Sequence, residues 1–224
     1  MPIPLVLASA SPARRETLTA AGITPYVLVS KVDEDAVVAE ATTRLGELAP
    51  EDVALLLGRA KCEAVSTVLA GDGAPDAAPV EPLVLGCDSV LELDGEVHGK
   101  PADAAEAVAR WRRMRGRRGV LHTGHWLVDL RDSEDGGTGA TLGAVASTTV
   151  HFAELTDAEI EAYVATGEPL RVAGAFTIDG LGGAFVTGLE GDHHTVVGLS
   201  LPLLRTLLTD VGVGWFDVTG SPPG

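Results

Sequence analysis

Positive charge is scarce in this sequence. Sixteen Lys and Arg face 32 Asp and Glu, for a formal charge of −16 at pH 7, and only Lys31, Lys61 and Lys100 are lysines. So acidic a body repels nucleic-acid backbones and anionic membranes at long range. A phosphate ligand must therefore meet a local basic cluster, helped by a metal. Aromatic residues make up 4%, too few for the stacking platforms that bind single strands. The only cysteines are Cys62 and Cys87, with no Cys-x-x-Cys, which argues against a zinc ribbon or redox motif. They read as buried thiols of an intracellular chain. No apolar run approaches the ~20 residues of a membrane span. The opening MPIPLVLASASPARRE has no basic region before its short apolar run, so it reads as a first strand rather than a signal peptide. The expectation is a soluble cytoplasmic protein with no nucleic-acid and no membrane partner.

What is present suffices for a core. Of 224 residues, 46% are apolar and 21% charged, the balance of a globular chain. That length makes one ordinary domain or two lobes sharing one core. Ile3 to Ala8 reads as a buried strand. Ala13 to Ala21 reads as a helix capped by Ser11, with Pro12 in its first turn and Gly22 ending it. A strand at Pro25–Ser30 leads to an acidic turn, Asp33-Glu34-Asp35. A long helix is expected from Pro50 to Leu69, then a mobile loop over 71–82. Leu83–Leu93 reads as a strand closed by a tight turn at Asp94-Gly95, and Ala102–Met114 as a helix. Strands at Val120–Leu130 and Ala144–Phe152 flank a mobile loop over 131–143. Thr156 to Glu159 is a capping box opening a helix to Ala165. Short strands at Ala175–Ile178 and Ala184–Thr187, a helix at Pro202–Thr209 and a frayed tail over 217–224 complete the reading. Strands alternate with helices early and hairpins dominate later, the pattern of an α/β protein with a mixed sheet.

Four places carry chemistry. At Ser9 to Arg15, hydroxyls, arginines and free N–H groups at a helix start make a phosphate cradle, or simply a capped helix with solvated arginines. Asp88 stands inside an apolar strand, where a carboxylate is costly without a partner. It is a metal ligand or general base, or it sits at a strand end or at a bulge that Gly86 would allow. Lys100, between Gly99 and Pro101, and Lys61 are point charges retained in an arginine-preferring chain. Asp33, Glu34 and Asp35 are hard ligands for a divalent cation, or a solvated turn. Two clusters are set aside. The six arginines from Arg110 to Arg118 suit a helix C-terminus. His122/His125 and His193/His194 have no nearby ligand set for zinc.

Together these segments resemble the Maf family of nucleoside triphosphate pyrophosphatases. The likeness runs through Leu7–Leu18 (LASASPARRETL), Val32-Asp33-Glu34, Arg59-Ala60-Lys61, Gly86-Cys87-Asp88-Ser89 and Gly99-Lys100-Pro101. It continues through Ala173–Phe176 with Gly180–Gly183, and Val196–Pro202. The resemblance implies one Maf-like domain over 1–224, an elongated mixed sheet flanked by helices, with two lobes and a central cleft. It implies hydrolysis of a nucleoside triphosphate to monophosphate and pyrophosphate by metal-assisted attack of water at the α-phosphorus, with clearance of non-standard nucleotides as one use. Asp88 would be the proton acceptor or a metal ligand, and Glu34 would help hold Mg²⁺ or Mn²⁺. Ser9, Ser11, Arg14, Lys61 and Lys100 would bind the triphosphate, and a homodimer is a family-level expectation. Ala13, Ser89 and Asp179 depart from the residues that bear on base choice in the dTTP- and UTP-directed subgroup, so no nucleobase is carried over. The alternative class is a catalytically silent nucleotide-binding regulator of septum formation.

Overall fold

The computed structural model describes residues 1–220. Its centre is a seven-stranded mixed sheet ordered β2-β1-β3-β5-β6-β7, with β4 paired to β3 outside that path. β1 (Leu5–Leu7) runs parallel to β2 (Tyr26–Val27) and to β3 (Leu83–Leu93). β4 (Glu96–His98), β5 (Arg118–Asp129), β6 (Thr141–Phe152) and β7 (Val186–Glu190) pair antiparallel. The helices are α1 (Pro12–Ala20), α2 (Glu34–Leu45), α3 (Pro50–Ala70), α4 (Ala104–Met114), α5 (Asp157–Ala165), α6 (His193–Val197), α7 (Leu201–Asp210) and α8 (Trp215–Val218). The mixed α/β architecture is the one expected.

Local chemistry explains the ends. Ser11 caps α1 by accepting from the Arg14 N–H, and Thr156 and Glu159 close a capping box on α5. Asp94 and Gly95 both have positive φ, the geometry of the turn joining β3 to β4. Both cysteines are fully buried, and burial pushes each thiol up to about 12, so neither is a ready nucleophile.

Several expectations are corrected. Asp33-Glu34-Asp35 is not a turn: Asp33 caps α2, a twelve-residue helix whose alanines and valines give no clear apolar stripe and of which Ala41 alone is fully buried. Only Tyr26–Val27 of Pro25–Ser30 pairs as strand. Gly86 makes no bulge, since β3 keeps one unbroken register against β5 from Leu83 to Glu92, and Asp88 lies in mid-strand. Ala175–Ile178 is not a strand; Gly174 and Ala175 both take positive φ within a 3-10 turn that no strand accommodates. Thr141–Gly143 belong to β6, and 131–140 is tied down where Asp129 receives Arg131 and Thr138. Asp217–Gly220 is not frayed. The Ile3 N–H donates to the Asp217 carbonyl, Val218 is buried, and the Gly220 N–H donates to the Gly22 carbonyl. Residues 221–224 of that tail lie outside the described residues.

The core is interrupted where the site forms. One buried cluster takes Leu83, Leu85 and Cys87 of β3 with Leu127 of β5, under α1 and α7. Another takes Leu91 and Leu93 of β3 with Leu121 of β5, under α4 and α5. Between them, in register, stand Ser89 and Thr123, with His125 beside them. Among the described residues no helix is long and apolar enough to cross a membrane.

Candidate active site

A cleft of about 1370 Å³ opens at this interruption. All ten residues that the motif resemblance assigns to the site line it, whereas Asp33 does not. Ser9, Ser11, Ala13 and Arg14 come from the β1–α1 turn, Glu34 from α2 and Lys61 from α3. Asp88 and Ser89 come from β3, Lys100 from the segment after β4, and Asp179 from the loop before β7.

Close packing of α3 on the sheet builds the centre. A Cβ on Gly124 would run into the Ala54 carbonyl, and one on Gly86 would stand 2.6 Å from the Cys62 Cβ. Gly58, facing them from the helix, leaves room for 3.1 Å at best to the Gly124 oxygen. Three glycines thus let helix and sheet backbones approach directly. Lys61 follows Gly58 by three residues, on the same helical face, and Asp88 follows Gly86 by two, on the same sheet face. The result is an ion pair of 2.5 Å between Lys61 Nζ and Asp88 Oδ1, with Glu34 Oε1 on the same ammonium at 2.9 Å. The Lys61 and Asp88 side chains are each 12% exposed, while Glu34 is 45% exposed. A charge this deep is tolerated because it is paired.

Arg14 is a strut. It is buried, and Nε donates to the Gly198 carbonyl, Nη1 to Ser9 Oγ and Nη2 to Ser89 Oγ. Thr123 Oγ1 donates to the Thr195 carbonyl, so Ser89 must spend its own proton on Thr123 Oγ1 at 2.8 Å. A directed chain therefore runs Arg14 to Ser89 to Thr123 to Thr195, tying α1, β3, β5 and α6 together. Two of the five guanidinium N–H groups remain for a ligand. The backbone cradle is narrower than expected. Pro12 has no N–H, the Ser11 N–H goes to Ser9 Oγ, and the Arg14 N–H goes to Ser11 Oγ. Side chains, not a row of amides, present the positive potential.

Beneath this wall, His125 is fully buried. Its Nε2 accepts from the Ser200 N–H, which leaves Nδ1 to donate to the Thr123 carbonyl. Burial lowers its pKa to about 4, so the ring is neutral. Lys100 is exposed on the rim and has no ion-pair partner among the described residues; Asp179 is exposed there too.

Sequence reasoning gave no role in the site to Thr123, His125, Gly198 or Glu168. The first three act only through distant pairings that no spacing announces. Glu168 also lines the cleft, and its only sequence signal was a glycine-rich stretch twelve residues later. Most of the residues set aside are engaged elsewhere. Arg112 and Arg115 pair with Asp157, Arg113 with Glu96, Arg117 with Asp94, and Arg110 with Glu106. His122 bridges Glu92 and Ser147. No group of three or more His, Cys, Asp or Glu gathers for a metal among the described residues.

Comparison with known proteins agrees with the motif order. The family model described as Maf-like protein matches residues 4–211. A Salinispora tropica protein named nucleoside triphosphate pyrophosphatase is 59% identical over 213 residues, covering 95% of this chain and 86% of that protein. Proteins of the same name from Leifsonia xyli and Streptomyces coelicolor are 51% and 53% identical. They cover 96% and 94% of this chain, and 95% and 91% of their own lengths.

Proposed function

The chain belongs to the Maf-like protein family, and from that premise we propose that it hydrolyses nucleoside triphosphates to the monophosphate and pyrophosphate through water activated at Asp88. The observation that carries the reading is the convergence of Asp88 and Glu34 on Lys61, in a cleft that Ser9, Ser11, Arg14 and Lys100 also line. The triphosphate is highly anionic and the whole protein repels it, so binding must be local. Lys61, Lys100 and the free N–H groups of Arg14 offset its charge, while the Ser9 and Ser11 hydroxyls donate to phosphate oxygens. Asp88, ion-paired with Lys61, accepts a proton from the attacking water as the α-phosphorus is displaced from pyrophosphate.

The donor set fits a divalent cation that comes with its substrate. Glu34 and Asp88 converge on one spot, where the Lys61 ammonium stands between them, and one or two carboxylates are what Mg²⁺ or Mn²⁺ takes from a protein when phosphate oxygens supply the rest. Those two residues would hold it, and when bound it supplies neutralisation of phosphate charge in the transition state.

The test is pyrophosphate release from purified protein against a panel of standard and modified triphosphates, with Mg²⁺, with Mn²⁺ and with EDTA. Release with either metal and none with EDTA is expected. Nucleotide binding without release under any condition supports the silent regulator instead, and full activity in EDTA removes the metal.

A further inference from the structure

The chemistry above leaves the stretch Gly180-Leu181-Gly182-Gly183 unused. In the structure this stretch wraps a carboxylate. Glu168 Oε1 accepts from Tyr163 Oη at 2.7 Å and from the Gly182 N–H at 2.9 Å, and Oε2 accepts from the Leu181 N–H at 2.9 Å. The fit has no slack. A Cβ on Gly180 would stand 2.6 Å from Glu168 Oε2, and one on Gly182 would run into Tyr163 Oη. These two glycines are the lodging of one side chain.

The clamp is rooted in the core. Tyr163 is buried on α5, edge-on to Trp111 and to Phe185. Burial opposes ionisation of Glu168, yet the two N–H groups and the phenol overcome it and hold its pKa below the ordinary value. The carboxylate is therefore charged at neutral pH, and charged acceptors make the stronger hydrogen bonds.

The clamped loop is also a wall of the cleft. Phe176, Ile178, Asp179 and Leu181 face it, with Glu168 itself. From Val172 to Leu181 the loop has no basic residue; Arg171, at its start, is the one cation of this wall, and the other cations that line the cleft are Arg14, Lys61 and Lys100. Apolar side chains beside one clamped carboxylate, Glu168, and one exposed carboxylate, Asp179, make a surface that suits a nucleoside.

We propose that Glu168 is a positioning residue that preforms the nucleoside wall of the cleft, acting through the Leu181 and Gly182 amides and Tyr163. It sets how well, and how selectively, the base and sugar are held. It does not touch the phosphates or the reacting atoms. The proposal rests on the triphosphate reading above.

The test separates the two ends of the substrate. Wild type, Glu168→Ala and Gly180→Ala are titrated calorimetrically, with Mg²⁺, against a nucleoside triphosphate whose α–β bridge is methylene and against inorganic tripolyphosphate. Both variants are expected to bind the nucleotide about 10- to 100-fold more weakly, the loss typical of a misplaced binding group. Tripolyphosphate affinity stays within about twofold, because the cationic end is untouched. Turnover at saturation changes by less than about threefold while KM rises, the pattern of lost uniform binding. The spread of kcat/KM across the bases narrows. If Glu168→Ala does not fold, Tyr163→Phe, which deletes one of the three donors, shows a smaller loss of the same kind. Unchanged nucleotide affinity in these variants overturns the proposal, and so does a parallel loss of tripolyphosphate binding. Wild type that binds nucleotide without hydrolysing it overturns only the reading of function.

Discussion

Asp88 sits in mid-strand, flanked by Cys87 and Ser89 and held from α3 by Lys61. Asp88→Asn keeps the shape and removes the proton acceptor. Steady-state pyrophosphate release should fall about 10²- to 10⁴-fold, the usual worth of a general base, while thermal unfolding stays cooperative. Turnover near that of wild type takes Asp88 out of the mechanism. Asp179 belongs to the other end of the substrate. An ionised aspartate only accepts, whereas glutamine both donates and accepts. Thymine and uracil present two carbonyls around one N–H, so Asp179 set against that edge is expected to disfavour them and to suit a base with adjacent donors. Because Asp179 is exposed and water competes for it, discrimination of about 1 kcal/mol, the net worth of one hydrogen bond, is expected. Measured kcat/KM across natural triphosphates should rank dTTP and UTP low in wild type and higher in Asp179→Gln. An unchanged ranking shows that Asp179 reads nothing. Ser89, another departure from that subgroup, is committed to Arg14 and Thr123, so its hydroxyl proton is not free to read a base.

At the scale of elements, α3 decides the site. Its apolar periodicity is plain in the sequence, and its observed span, Pro50–Ala70, differs from the expected one by a single residue. Its depth on the sheet is another matter. Gly58, Gly86 and Gly124 lie far apart in the chain and meet only when β3, β5 and α3 assemble. Gly124→Ala forces a methyl against the Ala54 carbonyl, and backbone cannot swing aside as a flexible side chain would. Overpacking of this kind costs about 1–3 kcal/mol. The same displacement carries Lys61 away from Asp88, so chemical denaturation and turnover should both report the change. A variant that loses stability but keeps full turnover would separate the seat of α3 from the site. The mostly exposed helix α2 makes the opposite point. It brings Glu34 to the cleft on its first turn, and its weak apolar pattern hid it.

For the whole molecule, the acidic surface and the buried base respond to pH together. His125 has a folded pKa of about 4 against an ordinary 6.5. Between those values the unfolded chain binds the proton more readily than the folded one. Stability from this group is therefore complete above pH 6.5 and drains as pH falls toward 4, by at most roughly 3 kcal/mol. Asp129 adds a later step. Burial opposes its charge, but Arg131 and Thr138 hold its pKa at about 2 against 3.8, so its contribution persists above 3.8 and disappears as pH falls through about 2. Urea denaturation at pH 7, 5.5 and 4.5 should show falling stability in wild type. In His125→Gln, whose side chain keeps an acceptor and a donor, the slope over that window should flatten. Equal slopes in both proteins remove His125 as the source.

The sequence by itself determined the alternation of strand and helix, the capped starts of α1 and α5, the turn at Asp94-Gly95, and the short set of polar residues too costly to leave unpaired in apolar surroundings. These follow from local terms: periodicity, φ preference, capping and burial cost act within a few residues. Only the tertiary structure decided that the ten candidates share one cleft, that Lys61 stands between Glu34 and Asp88, that Arg14 is a strut with two N–H groups to spare, and that Glu168 holds the loop carrying Asp179. Each of these is a meeting of groups tens of residues apart, or of a carboxylate with backbone amides. Such meetings depend on how closely α3 approaches the sheet and on the core splitting at Ser89 and Thr123, neither of which leaves a mark on residue spacing.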